Sequence, residues 1–139
     1  MGRIMAIDYG TKRTGIATTD PLRLIASALD TVATPDLLAY LTTYIAAETV
    51  DCIVVGEPKR LDNTAADLLP TILQFVAKLR AMFPHVTVAL YDERFTSRIA
   101  QQRMLTHGLT RKARQDKGRI DRMSAVVILE GYLTAEGIF

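Results

Sequence analysis

The chain has a single cysteine, Cys52, so no intrachain disulfide can form, and a small secreted fold stapled by disulfides is excluded. Cys52 sits in the apolar run Cys52-Ile53-Val54-Val55, where a buried hydrophobe suits better than an exposed nucleophile. No apolar stretch approaches the ~18 residues of a membrane-spanning helix. A signal-peptide pattern is also missing: Arg3 is the only basic flank, and no small-residue cleavage site follows. A reducing cytoplasm and no membrane partner are the expectation. There is no internal repeat, low-complexity tract or compositional break. The 139 residues are therefore expected to form one domain, 1–139, around one core. A large excess of one charge is lacking too. The net charge of +2 is too small to indicate a nucleic-acid partner, so the distribution of charge has to carry that argument.

What is present is organised around Ile4 to Ala17. Ile4-Met5-Ala6-Ile7 is an unbroken apolar run that reads as a strand covered on both faces, ending in Asp8. Gly10 and Gly15 bracket a short polar turn, and Ile16-Ala17-Thr18-Thr19 reads as an antiparallel return strand. Asp8 is thereby delivered to a sheet rim beside Lys12 and Arg13, an arrangement suited to a metal ion or a phosphate.

Leu24 to Val32 is predicted as a third strand, at the sheet edge. Thr34 as N-cap and Pro35 in the first turn open a helix with Leu37, Leu38, Leu41, Tyr44 and Ile45 on one stripe. Cys52 to Gly56 is a second central strand, closed by Glu57 and Pro58. The next helix ends near Met82. A proline inside a helix costs about 3 kcal/mol, so Pro70 is expected in the first turn with Asp67 as N-cap. Val86 to Leu90 is the fifth strand, followed by helices from Thr96 or Ser97 to Leu105 and from Ile120 to Leu133. Three hairpin-linked strands, then two reached through helices, predict an α/β fold: a five-stranded mixed sheet with helices on both faces.

Asp8 ends the first strand, Glu93 follows the fifth, and Asp121 opens the last helix. If the first and fifth strands run parallel, these acids share one rim. Three converging carboxylates repel one another unless a cation lies between them, and oxygen ligands select hard ions such as Mg2+ or Mn2+. Two such ions ~3.5–4 Å apart can promote attack on a phosphodiester. Singly, each acid has a plainer explanation: a solvated hairpin Asp8, Glu93 paired with Arg94 or Arg98, and Asp121 as a helix N-cap.

These residues resemble the YqgF/RuvX family, a branch of the RNase H-like superfamily related to Holliday junction resolvases. Asp8-Tyr9-Gly10-Thr11-Lys12-Arg13-Thr14-Gly15-Ile16-Ala17 resembles the opening D-x-G-x-x-R-x-G-x-A signature. Val55-Gly56-Glu57-Pro58 resembles the V-G-x-P element, and Asp92-Glu93-Arg94-Phe95-Thr96-Ser97 the D-E-R-x-T-S block. Lys117, Ile120-Asp121, Ser124-Ala125 and Ile128-Leu129 follow the last-helix pattern. The resemblance spans essentially the whole chain. It implies the RNase H-like fold, and a metal-dependent endonuclease with Asp8, Glu93 and Asp121 as catalytic and metal-binding acids. Two departures stand out. Glu57 occupies a position where Leu is frequent, and Asp62-Asn63-Thr64 follows where Gly is often central. Related resolvases carry a catalytic Glu at the end of that strand, which makes Glu57 a candidate fourth ligand. Pairing with Lys59 or Arg60 is the plainer reading.

Arg13 and Arg94 are candidates to grip phosphate oxygens, with salt bridges to the acids as the alternative. Arg111, Lys112, Arg114, Lys117, Arg119 and Arg122 form a basic stretch that abuts Asp121 and suits a nucleic-acid backbone. The family resemblance implies trimming of precursor small-subunit rRNA in ribosome assembly, and the related resolvases suggest cleavage of branched DNA; a monomer or weak homodimer is expected. A non-catalytic RNA-binding assembly factor is the competing class. An actin-like ATPase is disfavoured by the chain's length.

Overall fold

The computed structural model describes residues 2–57, 63–92 and 117–139. Strands β1 (Arg3–Asp8), β2 (Arg13–Thr19) and β3 (Ala26–Ala33) come first. A 3-10 turn (Thr34–Asp36) leads into helix α1 (Leu37–Ala47). Strand β4 (Val50–Glu57), helix α2 (Asn63–Met82), strand β5 (Thr87–Asp92) and helix α3 (Lys117–Ala135) follow. The five strands form one sheet in the order β3-β2-β1-β4-β5. β2 is antiparallel to β1 and β3, whereas β4 runs parallel to β1 and β5 parallel to β4. The sheet is mixed, as predicted, and β1, β4 and β5 end on one rim.

Apolar side chains divide between the faces with a period of two. Met5, Ile7, Ile16, Ile53, Val55 and Val88 pack with Leu37 and Leu41 of α1 and with Ile72, Phe75, Val76 and Leu79 of α2. Ile4, Ala6, Ala17, Cys52 and Val54 pack with Ala125, Ile128, Leu129 and Leu133 of α3. The central strands are apolar on both sides because helices cover both faces. Cys52 is buried, as its apolar setting predicts.

Several boundaries differ from expectation. Leu24 and Ile25 belong to the loop between β2 and β3, not to β3. The Asp20 carboxylate accepts backbone N–H bonds from Leu22, Leu24 and Ile25 at 3.2, 2.7 and 2.9 Å, which holds the chain off the ladder. Thr34 does not cap α1: the 3-10 turn has no side-chain cap, and the Thr34 hydroxyl bonds elsewhere. α2 begins at Asn63, well before the predicted cap at Asp67, and runs through Pro70. The missing N–H deprives the Ala66 carbonyl of its helical partner. Pro70 lies on the exposed side, where water can substitute. The helix predicted from Thr96 or Ser97 to Leu105 falls outside the described residues. Among the described residues no helix is long and apolar enough to cross a membrane.

Candidate active site

The turn after Asp8 is built by glycine and hydroxyl groups. A Cβ on Gly10 would lie within 2.2 Å of the Arg13 carbonyl oxygen, so only glycine lets the hairpin close this tightly. The Thr34 hydroxyl donates to the Gly10 carbonyl at 2.6 Å and lies 3.0 Å from the hydroxyl of buried Thr14, while the Thr34 N–H donates to the Lys12 carbonyl. The loop carrying Asp8 to Arg13 is thus stapled to the β3–α1 junction. Nothing in the local pattern around Thr34 distinguishes this role from a helix cap, because both use a short hydroxyl beside a proline.

Asp8 pairs with Gly15 across the hairpin, so the two residues share a sheet face. Alternation from Ile4 and Ala6 makes it the α3 face. At Gly15 the backbone of α3 comes down onto the sheet: a Cβ there would stand 2.0 Å from the Asp121 carbonyl oxygen. The structure therefore brings Asp8 and Asp121 together over a seat that only glycine provides. Asp121 is the fifth residue of α3 rather than its cap, so the capping explanation for this acid fails. Its Oδ2 lies 2.6 Å from Nε of Arg13, with the aspartate side chain 21% and the arginine 37% exposed. The contact is an ion pair between a cation and a carboxylate. Arg13 thus contacts one of the acids, the alternative weighed against phosphate gripping. Arg122, counted in the basic stretch, donates to the Thr31 hydroxyl at 3.1 Å and ties α3 to β3.

Glu57 stands elsewhere. β4 alternates Cys52 and Val54 towards α3 with Ile53 and Val55 towards α1 and α2, which gives Glu57 to the face opposite Asp8. β5 ends at Asp92, immediately before Glu93 in sequence. Glu93, Arg94, Arg111, Lys112 and Arg114 lie outside the described residues, as do Lys59 and Arg60. Lys117 begins α3. Among the described residues no group of three or more His, Cys, Asp or Glu is placed to hold a metal ion. Asp8 and Asp121 supply two carboxylates on one face, a donor chemistry that fits a hard divalent cation.

A sequence profile described as that of RuvX, Holliday junction resolvase, matches residues 2–135. The chain belongs to the RuvX family. A relative in Parabacteroides distasonis, named "Putative pre-16S rRNA nuclease", is 48% identical over 136 residues, covering 98% of this RuvX-family chain and 97% of that one. One of the same name in Christiangramia forsetii is 47% identical over 133 residues, covering 96% and 98%. Among solved structures, "T. thermophilus RuvC in complex with Holliday junction substrate" superposes with a TM-score of 0.61 at 16% identity, over 99% of this chain and 98% of that one. That likeness shows the RNase H-like fold. Membership of the RuvX family makes the chain a nuclease, a hydrolase of phosphodiester bonds.

Proposed function

We propose that residues 1–139 form one nuclease domain that cleaves precursor 16S rRNA in the cytoplasm, maturing its 5′ end during ribosome assembly. The observation carrying the chemistry is the placement of Asp8 and Asp121 on one face of the sheet, over Gly15. The choice of RNA rests on the names of relatives that match nearly the whole chain. Asp8, Asp121 and Glu93 would hold Mg2+ or Mn2+, with two ions as the expected number. Bound there, the ions supply Lewis-acid polarisation of the phosphodiester and of the attacking water.

The protein's own contribution is positioning. β1, central and buried on both faces, holds Asp8 rigidly. α3, seated on Gly15 and tied to Thr31 through Arg122, holds Asp121. Arg13 neutralises part of the charge of Asp121 through its buried Nε, and the remaining N–H groups of its guanidinium would donate to a phosphate oxygen. Arg94 and the cations Arg111, Lys112, Arg114 and Lys117 would hold the backbone of the nucleic acid. Glu57, on the opposite face, is left as a rim carboxylate.

The second reading is cleavage of branched DNA, favoured by the description of the matching family. Purified protein incubated with labelled precursor rRNA or a four-way DNA junction, each with Mg2+, Mn2+ or chelator, separates the two. Metal-dependent cutting of the RNA is expected. Cutting of the junction alone would transfer the proposal to DNA, and cutting of neither would remove the substrate assignment. Asp8→Asn, Glu93→Gln and Asp121→Asn should each abolish cleavage; the first two should leave the melting temperature unchanged or slightly raised, since fewer like charges crowd the rim, whereas Asp121→Asn, which loses the ion pair to Arg13, should lower it. A variant that cuts at the wild-type rate would take its residue out of the site.

A further inference from the structure

Asp8 and Tyr9 are adjacent in sequence and leave the rim on opposite faces. Asp8 turns to α3, whereas Tyr9 packs against Phe75 of α2, with ring centroids 5.0 Å apart and planes at 39°. Beside Tyr9 lies a cavity of about 220 Å³ between the 3-10 turn, the start of α1 and the middle of α2. That is smaller than the roughly 300–1,000 Å³ of pockets for drug-sized ligands. Its walls combine the half-buried Tyr9 ring and the Leu38 side chain with Gln74 and Lys78, which lie one helical turn apart on the exposed side of α2. Among the described residues Lys78 makes no ion pair. Thr34, which also lines the cavity, is the residue that staples the Asp8 loop, so the cavity wall and the catalytic turn are one rigid piece.

We propose that this cavity is a base-binding subsite that receives a nucleobase of the substrate strand where it passes from the Asp8 face over the rim to the face of α1 and α2. This rests on the nucleic-acid substrate assigned above and adds how that substrate is read. The chemistry matches a base on each count. An aromatic ring offers a stacking surface, and single-stranded RNA is recognised by bases splayed onto such rings. An amide and an ammonium at the same opening are hydrogen-bonding groups for base edges, the ammonium suiting the O6 and N7 acceptors of guanine. A drug-sized cofactor does not fit the volume, and a bare phosphate would leave the aromatic wall unused.

The test is a titration of guanosine 5′-monophosphate and, separately, ribose 5-phosphate into the metal-free protein, followed by amide chemical shifts. A single-stranded RNA octamer titrated at several salt concentrations completes it. Guanosine monophosphate should shift the amides of Tyr9, Gln74, Phe75 and Lys78 and bind about tenfold tighter than ribose 5-phosphate, the lower part of what one base–aromatic stack supplies. Tyr9→Leu should remove that advantage, Tyr9→Phe should keep it, and Gln74→Ala, at an exposed position, should reduce it without moving the melting temperature. Equal affinity for the two small ligands, or shifts confined to other residues, would overturn the subsite. If the octamer still binds with strong salt dependence in that case, the nuclease reading stands. If the octamer does not bind either, both fall.

Discussion

A single methyl group added at Gly15 tests how far the site depends on the close seating of α3. An ideal Cβ at this position would stand 2.0 Å from the Asp121 carbonyl oxygen, 2.3 Å from its carbon and 2.9 Å from the Arg122 nitrogen. Ordinary contact begins near 3.4 Å, so the obstruction exceeds an ångström, and every obstructing atom is backbone that cannot rotate aside. In Gly15→Ala, α3 has to lift from β2 or β2 has to bow. Overpacking of this kind costs about 1–3 kcal/mol. At about 4 °C per kcal/mol for a chain of this size, the melting temperature should fall by roughly 4–12 °C. The chemistry should suffer more, because Asp121 rides on the displaced backbone and a misplacement of about 1 Å can cost about 100-fold. The assay pairs thermal melts with RNA cleavage at saturating Mn2+, run far enough below the variant's melting temperature that the variant is folded. A Gly15→Ala protein that melts within about a degree of wild type and cuts at the wild-type rate would show that the helix seat does not matter to the site.

Replacing Arg111, Lys112 and Arg114 with Ala should weaken nucleic-acid binding and lower its salt slope by roughly 0.7–0.9 for each phosphate no longer neutralised, with melting almost unchanged; an unchanged slope would remove these cations from the interface. Glu57→Leu should leave cleavage within a few-fold of wild type, since Glu57 lies on the face away from Asp8. A loss matching that of Asp8→Asn would make it a ligand. Burial, then the charge of Cys52 and a hydrogen bond with it, push the Tyr132 hydroxyl up from 10.0 to about 12. The folded state thus favours the neutral phenol: its contribution to stability is full below pH 10.0 and disappears as pH rises through about 12. Urea midpoints measured across that range should decline, and Tyr132→Phe should flatten the decline. An equal decline in the variant would assign it to other groups.

The sheet was legible in the sequence for a physical reason. Ile4 to Ile7 and Cys52 to Val55 are unbroken apolar runs, and only strands covered on both faces need such runs. What local pattern misread was decided by side-chain contacts and solvent exposure that periodicity does not report. Leu24 and Ile25 have strand propensity, yet the Asp20 carboxylate claims their amides. Pro70 signals a helix start, yet α2 tolerates it inside because it faces solvent. Thr34 looks like a cap, but its hydroxyl reaches Gly10, 24 residues away.

The candidate site divides in the same way. The sequence alone determined which acids to consider, because Asp8 closes an apolar strand and the four motif blocks carry the rest. Which acids meet was a tertiary matter. Strand alternation sends Asp8 and Glu57 to opposite faces although both end central strands. Asp121 reaches Arg13, and its backbone the strand partner of Asp8, only because α3 folds back across β2 at Gly15, a contact between residues more than a hundred positions apart. Composition and periodicity report what a segment prefers locally. They hold no information about which distant backbone will close on a residue that lacks a side chain, and in this protein that closure brings Asp121 onto the sheet face that carries Asp8.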